Sequence, residues 1–258
     1  MINLFNKTTN YVIVGGSSVQ YFYYLNQCPY TVWLAASPGI GDLMPERPPY
    51  TLYIFPTPDQ WNGSIWARTK CSTDASLHFS CETGDCGSGT IDCQSPPPKY
   101  PVTLLNFDID QSVVSYEVSL NHGYNDVPVR IEPIGGTLEG RSDKCPTVDC
   151  IQDLSNVCPS TLVAKNKDGW AVGCFSPCDA FKDPQFCCTG NFSGQACQPN
   201  EYSKRFKELC GLAHTYPADK TPEIYRCKDA ATYNITFCPW ITHHVRLVNI
   251  VIVIHRIF

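Results

Sequence analysis

The chain has 258 residues, a net charge of −5 and sixteen cysteines, and it contains no run of basic residues. The acidic balance argues against a nucleic-acid partner, because phosphate binding requires Lys and Arg gathered on one face. The even and unusually high cysteine count indicates a disulfide-stapled, secreted protein rather than a cytosolic one.

The first 25 residues are predicted to be an atypical N-terminal extension. They contain the apolar run 11–14 and the aromatic run 21–24. A secretory leader would instead show a basic segment, an apolar stretch and a small-residue cleavage site. We therefore expect no clear signal peptide in this sequence, although its cysteine content favours an extracellular protein.

Most of residues 26–135 alternate apolar and polar side chains, the period of half-buried strands. Strands of this kind are predicted at residues 50–54, 116–120 and 129–132, with a later one at 233–237. Segments rich in Pro and Gly separate them. Many short strands with such turns indicate a β-sandwich or a β-barrel.

Helices are predicted in the cysteine-rich segment 145–210. The first carries its apolar face at Ile151, Leu154 and Cys158. Later helices are predicted to start after the capping residues Ser176 and Asn200. Such short helices are not stable alone, so disulfides to neighbouring segments must hold them.

Residues 240–258 are predicted to be an apolar C-terminal extension. The segment contains Arg246 and Arg256 and is too short for a membrane-spanning helix, which needs about 20 apolar residues. It also lacks the polar spacer of a lipid-anchor signal. We therefore expect no transmembrane segment.

Metal chemistry is not expected of the cysteines. No Cys-x-x-Cys pair occurs, and no paired histidines lie beside the cysteine cluster. Zinc sites need such closely spaced ligand pairs. We predict disulfides instead, with no metal and no cofactor.

Several segments around the cysteines form a specific pattern. They are Asn26-Gln-Cys28-Pro-Tyr-Thr-Val-Trp33, Ile65-Trp-Ala-Arg-Thr69, Cys81-Glu-Thr-Gly-Asp-Cys86, Cys187-Cys188-Thr-Gly190 and Phe237-Cys238-Pro239. This pattern resembles the thaumatin-like proteins of the plant pathogenesis-related type, which include osmotin. The resemblance covers roughly residues 26–239 and gives each of the sixteen cysteines a counterpart.

The resemblance implies a mainly β fold. Residues 26–145 and 214–239 would form a β-sandwich core with a small third lobe, and residues 146–213 a disulfide-rich helical domain. The residues alone leave the pairing of the cysteines open. The family implies Cys28–Cys238, Cys71–Cys81, Cys86–Cys93, Cys145–Cys227, Cys150–Cys210, Cys158–Cys174, Cys178–Cys187 and Cys188–Cys197.

Members of the family share an acidic cleft between the two domains, formed by an Arg, a Glu and three Asp. The cleft is linked to binding of β-1,3-glucans and, in some members, to their weak hydrolysis. The matching positions here are Ser64, Asn106, Glu117, His122 and Leu212. Since glycoside hydrolysis needs two carboxylates and only Glu117 is acidic, we predict a binding cleft without catalytic residues.

Other residues offer alternatives. Asp108 and Asp110 alternate with apolar residues and would share a sheet face near Asn106, as a replacement acid or simply as a solvated strand face. His122 is interpreted either as an acid–base partner of Glu117 or as a surface loop residue. Asp85, between two disulfide cysteines, is expected to hold a turn.

Four aromatic side chains are candidates for stacking on sugar rings: Tyr124, Tyr216, Trp170 and His214. The alternative is that they pack the domain interface. Glycosylation acceptors occur at Asn62, Asn191 and Asn234, with a further one at Asn6, and they agree with secretion.

The sequence therefore predicts a secreted, apoplastic monomer that acts in antifungal plant defence. Its expected partner is a β-1,3-glucan or another fungal wall polysaccharide, bound without catalysis. One alternative is a weak endo-β-1,3-glucanase. The other is an inhibitor of a secreted hydrolase, such as a xylanase or an amylase.

Overall fold

The computed structural model of the protein describes residues 19–41, 43, 45–93 and 96–239, together with the backbone of Val251–Val253. Its strands are β1 Tyr21–Asn26, β2 Val32–Ser37, β3 Glu46–Arg47, β4 Thr51–Pro56, β5 Gln60–Thr73, β6 Phe79–Thr83, β7 Leu104–Asp110, β8 Val113–Ser119, β9 Val129–Leu138, β10 Val148–Cys150, β11 Val163–Lys165, β12 Ala171–Cys174, β13 Tyr225–Phe237 and β14 Val251–Val253. Its α-helices are α1 Pro177–Phe181, α2 Pro184–Cys187 and α3 Glu201–Leu209. The fold is mainly β, as predicted.

Strand β13 connects the two layers of the fold. One edge of β13 pairs with β9, while the other edge pairs with β8 at its start and, in parallel, with β1 at its end. From β8 the sheet continues through β7, β5, β2 and β3, and from β1 it continues through β4 and β14. A positive φ of 58° at Asp229 and a register shift after Ala230 mark the bend between the two halves.

Aromatic rings fill the space between these layers. Phe22 on β1 contacts Phe107 on β7, with ring centroids 5.0 Å apart, although β1 and β7 are not neighbours in the sheet. Tyr233 on β13 contacts both Phe107 and Tyr116. All four rings are buried, and such pairs contribute beyond their buried area. The two halves of the sheet therefore face each other as a β-sandwich.

Strand β1 shows that the predicted boundary of the N-terminal extension, at residue 25, is wrong. The strand is paired on both edges, with β4 and with β13, and Phe22 and Tyr24 are fully buried. The Gln20 side chain also donates to the Ala230 carbonyl oxygen at 2.9 Å. Burial alternates along β1, but its more exposed positions Tyr21 and Tyr23 are aromatic as well, so the sequence lacks the apolar–polar alternation that marks half-buried strands.

The C-terminal segment contributes a short edge strand. Val251–Val253 pairs in parallel with β4, so this part of the predicted extension lies beside the sheet. The other residues after Pro239 lie outside the described part of the chain. Among the described residues, no helix has the length and apolar character needed to cross a bilayer.

The α-helices lie in the segment where the sequence predicts helices, and two of their caps are as predicted. The Ser176 hydroxyl accepts from the amide of Asp179 at the start of α1. The Asn200 side chain accepts from the amides of Tyr202 and Ser203 at the start of α3. Each cap satisfies amides that have no partner inside the helix. The limits of a separate helical domain, 146–213, stay a prediction.

The helix predicted through Ile151, Leu154 and Cys158 is wrong. Strand β10 ends at Cys150, and only a single 3₁₀ turn, Ser155–Val157, follows it. The Asp153 carboxylate accepts from the amide of Ser155 at 2.9 Å, which gives the backbone a turn in place of a helix.

Eight disulfides join the sixteen cysteines, in the pairing that the resemblance implies. Cys28 and Cys238 follow β1 and β13 almost directly, and their Cα atoms lie 4.9 Å apart. This disulfide therefore fastens the ends of two adjacent parallel strands that are 210 residues apart in sequence.

Candidate functional site

Three polar side chains form a row across the outer face of the sandwich. Ser64 on β5 is in register with Asn106 on β7, and Asn106 is in register with Glu117 on β8. Each of the three is half-buried. Because successive residues of a strand point to opposite faces, their neighbours Leu105 and Val118 are buried instead. Three of the five predicted cleft positions thus lie side by side.

Hydrogen bonds run along this row in one direction. The Ser64 hydroxyl donates to Asn106 Oδ1 at 2.6 Å, and Asn106 Nδ2 donates to Glu117 Oε1 at 2.6 Å. The Glu117 carboxylate fixes the orientation of the amide, because an ionised carboxylate can only accept. The lone pairs of the Ser64 hydroxyl then remain available to accept from a ligand.

His214 completes the row behind Glu117. Its Nδ1 is hydrogen-bonded to Glu117 Oε2, and its Nε2 to the Pro222 carbonyl oxygen at 2.7 Å. Both partners are acceptors, so both ring nitrogens must carry protons when Glu117 is ionised. Backbone hydrogen bonds to Val118 and Leu120 hold His214 beside β8. The arrangement is an imidazolium–carboxylate pair.

The pair is stabilised in its charged form even though burial opposes both charges. Burial raises the pKa of Glu117, but hydrogen bonds from His214 and Asn106 outweigh it and bring that pKa below the ordinary 4.5. Burial lowers the pKa of His214, but hydrogen bonds to Glu117 and Pro222 raise that pKa above the ordinary 6.5. The side chains of His214 and Glu117 are only 5% and 15% exposed, so water screens the pair little.

The row borders an open groove of about 410 Å³. It is lined by Asn62, Gly63, Ser64, Asn106, Phe107, Asp108, Ser115, Tyr116, Glu117 and Ile224. Asp108 and Glu117 are the carboxylates among these residues, and Ile224, 54% exposed, is the apolar wall. No residue of 146–213 lines it, so this groove lies on the sandwich, whereas the resemblance implied a cleft between two domains.

The other two predicted cleft positions lie apart from this groove. His122 Nδ1 is 2.8 Å from Asp179 Oδ2, and the imidazole stacks on Tyr100 with ring centroids 3.8 Å apart. The interpretation of His122 as a partner of Glu117 is therefore wrong, since a carboxylate on α1 is its partner. Leu212 is 40% exposed and is not among the groove's lining residues.

None of the four residues predicted to stack on sugar rings lines the groove. Tyr124 and His214 are buried, so neither ring presents a face to a ligand, and their interpretation as stacking residues is wrong. Tyr216 lines a second groove with Lys207 and Asp219. Trp170 is 71% exposed in the turn between β11 and β12. Polar contacts would therefore dominate binding in the groove.

Three acidic residues behave as the sequence indicates. Asp108 and Asp110 are exposed on the same face of β7 as Asn106. Asp85 accepts from the amides of Cys81 and Gly87, both at 2.8 Å, and so holds the turn between two disulfide cysteines. Asp85 has a structural role in this turn.

Sequence reasoning missed two residues of the site. Ile224 reaches the groove from the loop before β13, and no sequence pattern marks it. Arg226 on β13 donates to Ser115 at 3.4 Å and to Glu139 at 2.5 Å, which places a cation at the groove's edge. The register between β13 and β8, set only in the folded sheet, brings Arg226 opposite Ser115.

We expect the His214–Glu117 pair to make stability depend on pH. Because the folded pKa of Glu117 is lowered, its contribution is complete above about pH 4.5 and is lost as pH falls through the folded pKa. Because the folded pKa of His214 is raised, its contribution is complete below about pH 6.5 and is lost as pH rises through the folded pKa. The contribution of this pair to the unfolding free energy should therefore be largest between these values, at about 2 kcal/mol.

Urea unfolding of the wild type, Glu117→Gln and the control Glu132→Gln from pH 3 to pH 9 tests this. A glutamine in place of Glu117 can keep hydrogen bonds to Asn106 and to a neutral His214, so this variant should fold and lose only the contribution of this pair to the pH dependence. Glu132 is an exposed residue of β9, and its variant should keep the wild-type profile. An unchanged profile in Glu117→Gln would contradict the ion-pair assignment.

Known proteins resemble this chain over most of its length. Residues 26–239 match the model of the Thaumatin family. The chain is 38% identical over 230 residues to "Thaumatin-like protein 2" of Prunus persica, covering 87% of this chain and 93% of that protein. It is 37% identical over 233 residues to a "Glucan endo-1,3-beta-glucosidase" of Prunus avium, with 87% and 93% covered. Among solved structures, the thaumatin-like xylanase inhibitor TLXI matches with a TM-score of 0.46 and 19% identity, covering 84% of this chain and 99% of that chain.

Proposed function

The chain belongs to the thaumatin family, and from that premise we propose that it is an extracellular defence protein that binds a β-1,3-glucan without hydrolysing it. The binding site is the groove over β5, β7 and β8. The observation that carries the proposal is the hydrogen-bonded row Ser64–Asn106–Glu117, which lines this groove. The eight disulfides support an extracellular location, because disulfides persist in oxidising compartments.

The groove offers the hydrogen-bond acceptors that sugar hydroxyls require. The hydroxyl of Ser64 is fixed as a donor to Asn106, so its lone pairs face the groove. Asp108 adds an exposed carboxylate on the adjacent strand. Hydrogen bonds to charged acceptors are about twice as strong as neutral ones, and an open groove lets a polysaccharide chain pass through it.

The ionised state of Glu117 argues against hydrolysis. A glycosidase needs one protonated carboxyl group as general acid and a second, ionised one. The hydrogen bonds from His214 and Asn106 lower the pKa of Glu117, which suits it to accept protons but not to donate one. The family's remaining cleft positions carry Ser64, Asn106, His122 and Leu212, which provide no second carboxylate.

A weak endo-β-1,3-glucanase is the second candidate. The relative from Prunus avium bears the name of such an enzyme, and Asp108 lines the same groove as Glu117. Asp108 and Glu117 are diagonal neighbours on β7 and β8, with their Cα atoms roughly 7–8 Å apart. In this case Glu117→Gln would abolish the release of reducing sugar from laminarin.

Two aspartate variants test where the glucan binds. The full chain, produced in an oxidising host that adds no N-glycans, is titrated with laminarin as wild type, Asp108→Ala and Asp110→Ala. Asp108→Ala should weaken binding about fivefold, because it removes one charged hydrogen bond worth roughly 1 kcal/mol in an exposed groove.

Asp110→Ala is the matched control for that experiment. Asp110 lies two residues further along the same face of β7, is exposed like Asp108 and is not a lining residue. Its variant should bind like the wild type. Equal affinities for all three proteins, or the greater loss in Asp110→Ala, would place the binding site elsewhere.

A further inference from the structure

One glycosylation acceptor lies inside the proposed binding groove. Asn62 begins the tripeptide Asn62-Gly-Ser64, and both Asn62 and Ser64 line the groove on the same face of β5. Asn62 is exposed and in register with Asp108 on β7. Residues two apart along a strand are separated by about 7 Å, and neighbouring strands by about 4.8 Å. A sugar on Asn62 would therefore start beside Ser64 and Asp108.

The fold gives no other reason for an asparagine at this position. Asn is disfavoured inside strands. Within the described part of the chain, the Asn62 side chain makes no hydrogen bond, so its amide nitrogen is open to modification. Gly63, by contrast, has a structural cause: a Cβ there would lie 2.6 Å from the Ser37 carbonyl oxygen and 2.6 Å from the Trp61 ring.

The other acceptors differ from Asn62 in their surroundings. Asn234 lies on β13 between Tyr23 and Glu132 of the neighbouring strands, and its Oδ1 is buried without a partner among the described residues. Asn191 is exposed in the 3₁₀ turn Gly190–Phe192, which lines no part of the groove. Asn62 is thus exposed and beside the binding groove, while Asn191 provides a natural control.

We propose that Asn62 carries an N-linked glycan that lies over the groove and competes with soluble glucan for it. Because it is tethered beside the groove, the sugar chain is present there at an effective concentration in the millimolar range. It can therefore compete with soluble glucan. It also takes up the open space above Asp108 and Ile224 by its volume alone. The glycan-free protein is then the form with an accessible groove. The effect on glucan rests on the proposed function, whereas the covering of the groove does not.

The test uses the full chain from a host that adds N-glycans, as wild type, Asn62→Gln and Asn191→Gln. Peptide mass mapping should find a glycan on Asn62. Asn62→Gln should bind laminarin at least about tenfold more tightly than the wild type, since the tethered sugar no longer competes for the groove. Asn191→Gln should match the wild type. An unmodified Asn62, or equal affinity of wild type and Asn62→Gln for laminarin, would overturn the proposal.

A second measurement decides the case in which no form binds laminarin. Hydroxyl-radical oxidation of Ile224, with the exposed Leu77 as reference, reports access to the groove directly. Oxidation of Ile224 that rises severalfold in Asn62→Gln would support the covering glycan while the proposed glucan function fails. Equal oxidation of Ile224 in both proteins would overturn the covering glycan itself.

Discussion

A chain that comprises residues 26–240 is expected not to fold, whereas one that comprises residues 19–240 should fold. The shorter chain lacks β1, which is paired on both edges with β4 and β13. It also lacks Phe22 and Tyr24, which are fully buried. Loss of one buried aromatic side chain costs about 3–5 kcal/mol, and a domain has a total stability of about 5–15 kcal/mol.

Circular dichroism and thermal unfolding of the two oxidised chains measure this difference. Both end at residue 240 and lack β14, which pairs with β4 over three residues at the edge of the sheet. The longer chain therefore serves as the control for the C-terminal deletion. A cooperative unfolding transition in the shorter chain would show that β1 is dispensable and that the family match, which starts at residue 26, already defines the folding unit.

The second large effect is expected from the disulfide between Cys28 and Cys238. Its removal by the double substitution Cys28→Ala/Cys238→Ala should lower the free energy of unfolding by about 5 kcal/mol. In the chain-entropy model, a disulfide stabilises by restricting the unfolded chain, more strongly for longer loops. This one closes a loop of 210 residues and fastens the ends of two adjacent strands.

The disulfide Cys188–Cys197 provides the control, since its partners are only nine residues apart. The same model gives about 3 kcal/mol for a loop of that size. Urea unfolding of both double-alanine variants compares the two losses. If the local disulfide proved as important as the long-range one, loop length would not explain how the cysteines stabilise this fold.

The strands could be predicted from the sequence wherever apolar and polar residues alternate along the chain. Residues 116–120 and 129–132 show this alternation and lie largely in β8 and β9. The aromatic run 21–24 puts aromatic side chains on both faces of β1, although only Phe22 and Tyr24 are fully buried, so periodicity places it in an extension. The helix expected after Ile151 is absent because three residues at helical spacing cannot outweigh the turn that Asp153 holds.

The candidate site was predictable in part. The positions of Ser64, Asn106 and Glu117 follow from the resemblance, and their contact follows from strand register. The role of His214 was not predictable, because it depends on the loop after α3 lying beside β8 through the backbone hydrogen bond from His214 to Val118. A histidine interpreted as a sugar-stacking ring is thereby buried as the ion-pair partner of Glu117.

In the proposed function, the groove over β5, β7 and β8 binds a β-1,3-glucan and leaves it intact. Titration of the full, oxidised, glycan-free chain with laminarin, followed by analysis of reducing ends in the same sample, measures binding and cleavage together. We predict saturable binding with no increase in reducing ends, because no general acid accompanies the ionised Glu117. New reducing ends would show that the groove is catalytic, and the absence of binding would show that the glucan is not its ligand.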